Sequence, residues 1–115
     1  MKSVLDIQFN YLTGMASYMG EREDLFCQEN KRLIQSIVKE QDLDLIGIMK
    51  ADGDTYYNNG ARKNVKNRGY FKKAMQGQKI MSPPLASKVD GRTKVILAVP
   101  IYRNGQVTGV LGASY

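Results

Sequence analysis

An arginine followed closely by two aromatic residues is the part of this sequence best suited to chemistry. The segment Arg68-Gly69-Tyr70-Phe71 lies at the start of a short helix predicted over 68–76. A guanidinium presents a planar fork of N–H donors that can hold a carboxylate through two hydrogen bonds. Tyr70 adds a hydroxyl and a ring face, and Phe71 adds an apolar wall. These residue types predict a binding site for a small anion. The alternative is that the rings are core residues and Arg68 is only the solvated start of the helix.

Other candidate binding residues lie on predicted strands. Successive side chains of a strand point to opposite faces of the sheet, so only one of Tyr56 and Tyr57 is expected to face inward. An inward tyrosine is either a core residue with a satisfied hydroxyl or part of a pocket wall, and the spacing leaves both open. We take Tyr57 and Tyr102 as the candidates for a pocket wall.

The sequence offers little for catalysis or metal binding. It contains no histidine and Cys27 is its only cysteine, which excludes internal disulfides, Cys/His zinc sites and Ser-His or Cys-His pairs. Asp52, Asp54 and Asp90 lie at predicted turns, where aspartate is favoured for local reasons. We therefore predict a protein that is not an enzyme and that uses no metal and no cofactor.

The net charge of the chain favours anionic partners. Its 115 residues include 17 Lys and Arg against 11 Asp and Glu, a balance of +6. Nucleic acid, anionic lipid and acidic metabolites would all suit this charge, and so would a solvated surface of mixed charge. The basic residues are dispersed, with their highest density at 62–73, and no RNA-binding signature is visible, so we do not predict a nucleic-acid partner. No run of 18 apolar residues is present, so no part of 1–115 is predicted to span a membrane.

The elements that must position these residues form two parts of one predicted domain, 1–115. Residues 1–40 predict helices near 2–19 and 22–40, because apolar residues recur every seven positions and an acidic stretch follows Gly20. Residues 41–115 predict an antiparallel sheet with short turns, and the short helix packs over it. The pattern indicates an α+β fold with the helices on one face. Five strands are predicted at 45–49, 55–57, 85–88, 93–102 and 106–115, with 61–67 as a polar loop.

Taken in order, these segments resemble the Cache domains, which are extracytoplasmic sensor modules related to the PAS fold. The likeness covers most of the chain. It rests on Ile46 to Gly53, Arg68 to Ala74, Ser82-Pro83-Pro84 with Ser87-Lys88, and the closing hairpin from Val99 to Ala113. The resemblance implies a PAS-like, five-stranded antiparallel sheet with a long N-terminal helical region. It also implies a sensor that binds a small molecule and relays a conformational signal in a histidine kinase, a chemoreceptor or a cyclic-dinucleotide enzyme. The membrane would be crossed only by flanking segments.

The resemblance also implies roles for individual residues. In amino-acid-binding members, an arginine and neighbouring aromatics hold the carboxylate, and these positions correspond to Arg68 and Tyr70. The acidic residue that holds the ammonium corresponds to Ser114, and two further aromatic positions correspond to Leu85 and Lys63. A carboxylate clamp without the ammonium partner favours a simple carboxylate or another small anion as the ligand.

Two other functions stay open from the sequence. The apolar stripe of the N-terminal helices would also suit an interaction module that dimerises and whose pocket is vestigial. A homodimer through the N-terminal helix is expected of the sensor as well. A small protein that binds polyanions is the third hypothesis, and it predicts strongly salt-dependent binding.

Overall fold

The computed structural model describes residues 4–41, 43–82, 85–86 and 93–114. Its helices are α1 (Val4–Gly20), α2 (Gln28–Gln41) and α3 (Gly69–Met75). Its strands are β1 (Leu45–Lys50), β2 (Asp54–Tyr57), β3 (Arg62–Asn64), β4 (Ile80–Met81), β5 (Leu85–Ala86), β6 (Thr93–Lys94), β7 (Ile96–Arg103) and β8 (Gln106–Ser114). None of the helices in these ranges is long and apolar enough to cross a membrane.

Six of the strands form one antiparallel sheet in the order β3-β2-β1-β8-β7-β4, and β5 pairs separately with β6. The predicted α+β fold with a PAS-like antiparallel sheet is confirmed, with six strands in the main sheet instead of five. The difference arises at the edges. Arg62–Asn64, predicted as loop, pairs with β2, and Ile80–Met81 pairs with β7, whereas the described part of the strand predicted at 85–88 pairs with β6 outside the main sheet.

The long strand predicted at 93–102 is divided in the structure. Val95 separates β6, which pairs with β5, from β7, which belongs to the main sheet. Part of the strand predicted at 85–88 and the turn predicted at Asp90-Gly91 lie outside the described residues. The hairpin turn at Asn104-Gly105 has positive φ angles of 54° and 79°, the conformation that an Asn-Gly turn favours.

Helices cover both faces of the sheet, whereas the sequence predicted them on one face. Helices α1 and α2 pack on the first face, over a core that includes Leu12, Met19, Ile34, Ile46, Ile48, Leu97, Val99 and Leu111. Helix α3 packs on the second face through Phe71 and Ala74, against Met49, Ala98 and Val110. The alternation of buried residues along β1 and β7 supplies both cores, because successive side chains point to opposite faces.

The connection between α1 and α2 differs from the prediction of a helix beginning at residue 22. Residues 21–27 form turns, and Asn30 of α2 is fully buried beneath them. Its side-chain Nδ2 donates hydrogen bonds to the carbonyl oxygens of Leu25 at 3.1 Å and Met19 at 3.4 Å. These bonds satisfy carbonyl groups at the end of α1 and in the connection, and so fix α2 relative to α1.

Candidate functional site

A cavity of about 480 Å³ opens on the α3 face of the sheet. This volume lies within the usual range for small-molecule sites. The described residues that line it come from β2, β3, the segment between β3 and α3, the start of α3, and the neighbouring ends of β4 and β7. They are Tyr57, Lys63, Val65, Arg68, Gly69, Tyr70, Ser82 and Ile96. A hollow of about 90 Å³ shares Tyr57, Tyr70 and Ile96 with the cavity and reaches Ser114 at the end of β8.

Tyr57 lies against the sheet because a glycine stands opposite it. In the β1–β2 pairing, Tyr57 is the partner of Gly47. A Cβ atom at Gly47 would lie 2.9 Å from the Cδ1 and Cε1 ring atoms of Tyr57 and 2.9 Å from Cγ2 of Thr55. Real side chains essentially never make such short contacts, so Gly47 provides the space that the Tyr57 ring occupies.

Arg68 is held at the start of α3 by backbone hydrogen bonds. Its conformation is extended, with φ −78° and ψ 137°, and it stands at the N-cap position of the helix. The backbone N–H of Arg68 donates to the Val65 carbonyl at 2.9 Å, and its carbonyl accepts from Lys72 at 3.1 Å. Arg68 is exposed and lines the cavity, so its guanidinium lies at the rim, where it is open to a solute.

Lys63 is a second cation in the cavity lining, because side chains along β3 point alternately to the two faces of the sheet. Lys63 pairs with Thr55, whereas Arg62 pairs with Tyr56. Neighbouring residues of a strand point to opposite faces, so Lys63 and Arg62 are directed to different sides of the sheet. On the far side, Nη2 of Arg62 donates to Oδ2 of Asp54 at 2.7 Å and the guanidinium lies 4.8 Å from the Phe26 ring centroid.

The surroundings of the two cavity tyrosines raise the pKa of both hydroxyl groups. The pKa of Tyr70 is raised to about 12, chiefly by burial and also by the nearby Tyr57, while the positive charge of Arg68 opposes this rise. Burial also raises the pKa of Tyr57, again opposed by Arg68. Arg68 is therefore electrostatically coupled to both hydroxyl groups. At neutral pH both hydroxyls keep their protons and can donate hydrogen bonds to an anion.

Ser82 and Ile96 join the cavity to the sheet. Ser82 is buried, and its backbone N–H donates to the Ile96 carbonyl at 2.8 Å. The N–H of Ile96 donates in return to the Ser82 hydroxyl oxygen at 3.0 Å. The cavity wall is therefore continuous with the first residue of β7.

The structure brings three of the predicted site residues together. Arg68, Tyr70 and Tyr57 line the cavity, and Ser114 lines the adjoining hollow. Of the residues that had no predicted place in the wall, Val65, Gly69, Ser82 and Ile96 lie there. Lys63, which the sequence marked only as a replaced aromatic position, lies there too.

Two predicted residues lie elsewhere, and one is described only in part. Phe71 is 4% exposed and packs in the core beneath α3, since neighbours on a helix point in different directions. Tyr102 is 47% exposed; it lies near the opposite end of β7 from Ile96, and its hydroxyl is 3.0 Å from where a Cβ of Gly77 would stand, so it lies beside the end of α3 and not in the cavity wall. The backbone of Leu85 belongs to β5, and its side chain lies outside the described part of the structure.

No residues with the arrangement of a metal site are found in the described ranges. No group of three Cys, Asp or Glu side chains there is close enough to hold a metal ion. The charged residues among the described cavity lining are Lys63 and Arg68, so the arrangement is suited to binding an anion.

The architecture is that of the PAS-like sensory domains of the Cache type, which confirms at the level of the fold the resemblance seen in the sequence. Similar solved structures include the ligand-binding domain of the Pseudomonas aeruginosa PAO1 amino acid chemoreceptor PctC in complex with GABA, with a TM-score of 0.76 and 16% identity. The sensory domain of the Campylobacter jejuni chemoreceptor Tlp3 with isoleucine bound has a TM-score of 0.78 and 12% sequence identity. The ligand-binding domain of the Pseudomonas fluorescens chemoreceptor CtaA in complex with L-serine has a TM-score of 0.79 and 16% sequence identity.

These matches cover 96% of this chain but only 54%, 51% and 50% of the PctC, Tlp3 and CtaA chains respectively. The chain therefore spans about half the length of the solved domains it resembles. No family model matches the sequence, and neither does any curated protein.

Proposed function

We propose that this chain is part of the extracytoplasmic sensory domain of a membrane signalling receptor, and that it binds a small carboxylate or another small anion without catalysing a reaction. The receptor would be a histidine kinase, a chemoreceptor or a cyclic-dinucleotide enzyme. The observation that carries the proposal is the meeting of Arg68, Tyr57 and Tyr70 at one cavity on the α3 face of the sheet.

The chemistry of the cavity supports a carboxylate ligand. The guanidinium of Arg68 would donate two parallel N–H hydrogen bonds to the carboxylate oxygens, while the neutral hydroxyls of Tyr57 and Tyr70 supply further donors. Val65 and Ile96 provide apolar surface for a short hydrocarbon part. GABA, isoleucine and serine, the ligands named for the similar solved structures, each carry a carboxylate, which agrees with recognition of this group.

The connection between cavity and helix supports a route for a signal. Ile96 lines the cavity and begins β7, and the following inward residues Leu97 and Val99 belong to the core that α1 covers. A ligand that displaced Ile96 or Ser82 would therefore act on the strand against which α1 packs. Small displacements of packed helices are a common way of passing such a change to a neighbouring domain.

A ligand screen with a matched charge control tests the proposal. Organic acids and amino acids are screened by thermal shift, and hits are measured by calorimetry on wild type, Arg68→Ala and Lys72→Ala. Lys72 is exposed on α3 and does not line the cavity. Its replacement by alanine therefore removes the same charge as Arg68→Ala without changing the cavity.

We expect a bound acid at 100 times its Kd to raise the free energy of unfolding by about 2.7 kcal/mol. We expect Arg68→Ala to weaken binding at least about tenfold and Lys72→Ala to leave it unchanged. Absence of any stabilising compound, or equal affinities in wild type and Arg68→Ala, would contradict the proposal.

A dimerisation module is the second candidate, and the exposed surface of α1 favours it. Ile7 is 56% exposed and Tyr18 is 50% exposed. They are eleven residues apart, which is about three helical turns, so they lie on the same side of α1. Association through this side would bury both residues.

Sedimentation at several concentrations distinguishes this candidate. Deletion of α1 is unsuitable because Leu12 and Met19 belong to the core, so we suggest Ile7→Glu with Tyr18→Glu. The dimerisation module predicts a dimer that this double variant converts to a monomer, together with a cavity that binds none of the screened acids. A wild-type chain that stays monomeric throughout would exclude it.

A further inference from the structure

We propose that the cavity recognises a short organic dianion, a dicarboxylate, with Arg68 and Lys63 each binding one of its two carboxylates. This inference rests on the proposed function and narrows the class of ligand. Recognition of a dianion would depend only on residues of this chain and not on the type of receptor to which the chain belongs.

The charges in the cavity lead to this inference. Lys63 and Arg68 are both positive, and they are the charged members of the described lining. The two ion pairs found among the described residues join Arg22 to Glu29 and Arg62 to Asp54. Neither cavity cation is therefore paired with a described carboxylate. Two positive charges on one cavity are best complemented by a ligand with two negative charges.

The alternation of β3 makes the role of Lys63 distinct from that of its basic neighbours. Arg62 is directed to the opposite face, where Asp54 neutralises it at 2.7 Å. Lys66 and Lys72 are exposed and do not line the cavity. Of the basic residues in the described segment 62–73, the sheet and α3 thus bring two to the cavity.

The remaining lining favours a carbon-containing dianion over a compact inorganic one. Val65, which separates the two cations along the chain, and Ile96 add apolar surface that a hydrocarbon spacer would contact. A volume of about 480 Å³ is also more than a single phosphate ion needs. An α-amino acid would place its ammonium group in a cavity that already has two cations in its lining, and like charges repel.

Calorimetry with matched acids tests the inference. Succinate and glutarate carry two carboxylates, butyrate carries one, and L-alanine and inorganic phosphate represent the competing chemistries. Each is titrated at pH 7 and low ionic strength into wild type, Lys63→Met and the control Lys72→Met, with thermal melts to confirm folding. Lys63 and Lys72 are both exposed, so neither change is expected to disturb the fold.

We expect one of the dicarboxylates to bind at least about tenfold more tightly than butyrate, L-alanine and phosphate. Lys63→Met should remove this preference while changing the affinity for butyrate less than about twofold, and Lys72→Met should preserve it. The preference should also weaken as ionic strength rises, because salt screens the second charge contact.

The possible failures are distinguishable. If butyrate, L-alanine or phosphate binds as tightly as the dicarboxylates, or if Lys63→Met weakens butyrate and dicarboxylate equally, this inference is overturned while the proposed anion sensor stands. If none of the acids binds to wild type, the proposed function is overturned together with it.

Discussion

At the scale of single residues, burial and charge act in opposite directions on the cavity tyrosines. Burial raises the pKa of Tyr70 to about 12, and Arg68 limits the rise because its positive charge stabilises the phenolate. The fold therefore favours a neutral hydroxyl beside a permanent cation. That combination supplies two different kinds of donor to an anion at any physiological pH.

The raised pKa of Tyr70 predicts a loss of stability in alkaline solution. Between about pH 10 and pH 12, an unfolded chain releases the Tyr70 proton while the folded chain retains it. The unfolded state then binds fewer protons, so the free energy of unfolding falls as pH rises through this window. Urea unfolding of wild type and Tyr70→Phe at pH 8 to 12 measures this effect. We expect a shallower decline for the variant above pH 10 and parallel behaviour below it; identical slopes above pH 10 would contradict the assignment.

Gly47 is predicted to be required for the position of Tyr57. In Gly47→Ala the new Cβ would lie 2.9 Å from the ring, so the ring or the strand must move. We expect the free energy of unfolding to fall by about 1–3 kcal/mol, as measured by urea unfolding. Gly69→Ala is the control, because a Cβ there has no neighbour within 4 Å. Equal stability of the two variants would show that Tyr57 does not depend on Gly47.

Some residues of the candidate site could be predicted from their residue types, whereas the positions of others depend on how the strands pair. Arg68 and Tyr70 were predictable, because guanidinium and phenol groups at the start of a short helix suit anion binding wherever that helix packs. The choice of Tyr57 over Tyr56, and the inward direction of Lys63, depend on the pairing of β2 with β1 and β3. A strand of three exposed polar residues shows no hydrophobic alternation, so β3 was predicted as loop and Lys63 had no face assigned.

At the scale of elements, the last residue of α1 lies directly against the backbone of β7. A Cβ at Gly20 would lie 2.1 Å from the backbone oxygen of Tyr102, so α1 and β7 approach each other more closely there than any other residue would allow. Gly14 and Gly20 both lie in α1, where glycine is a poorer helix former than alanine. The structure separates them, because a Cβ at Gly14 would have no neighbour within 4 Å.

The two glycines of α1 are therefore predicted to respond in opposite directions to alanine. Gly14→Ala should raise the free energy of unfolding by about 0.8–1 kcal/mol, since alanine is the better helix former and Gly14 is exposed. Gly20→Ala should lower it by about 1–3 kcal/mol, because the backbone of β7 must move away. Thermal and urea unfolding of both variants check this. Changes of the same sign would contradict the close approach of α1 and β7.

The long elements were predictable and the short ones less so. The seven-residue apolar repeat and the Asn-Gly turn predicted α1, α2 and the β7–β8 hairpin, although α2 begins at Gln28 and not at residue 22, and the strand predicted at 93–102 is divided. The face on which α3 packs was not predictable from its seven residues. That face is decided by Met49, Ala98 and Val110, which come from three different strands.

At the scale of the whole molecule, the sheet separates two functions that the proposal needs. One face carries the core beneath α1 and α2, and the other carries α3 and the cavity. Strand β7 contributes to both, through Ile96 at the cavity and Leu97 and Val99 in the core. A change at the cavity can thus reach α1 through a single strand.

The central claim is that Arg68 binds the carboxylate of a small ligand in this cavity, and NMR of the arginine side chains tests it most directly. The Nε–Hε signals are followed while succinate is added, with Arg68→Lys used to assign the signal of Arg68. We predict a saturable shift of the Arg68 signal, with smaller changes for the Tyr57 and Tyr70 rings. The signal of Arg62, which is paired with Asp54 on the other face, should stay in place. An unchanged Arg68 signal, or weak unsaturable shifts of all arginines together, would contradict the account.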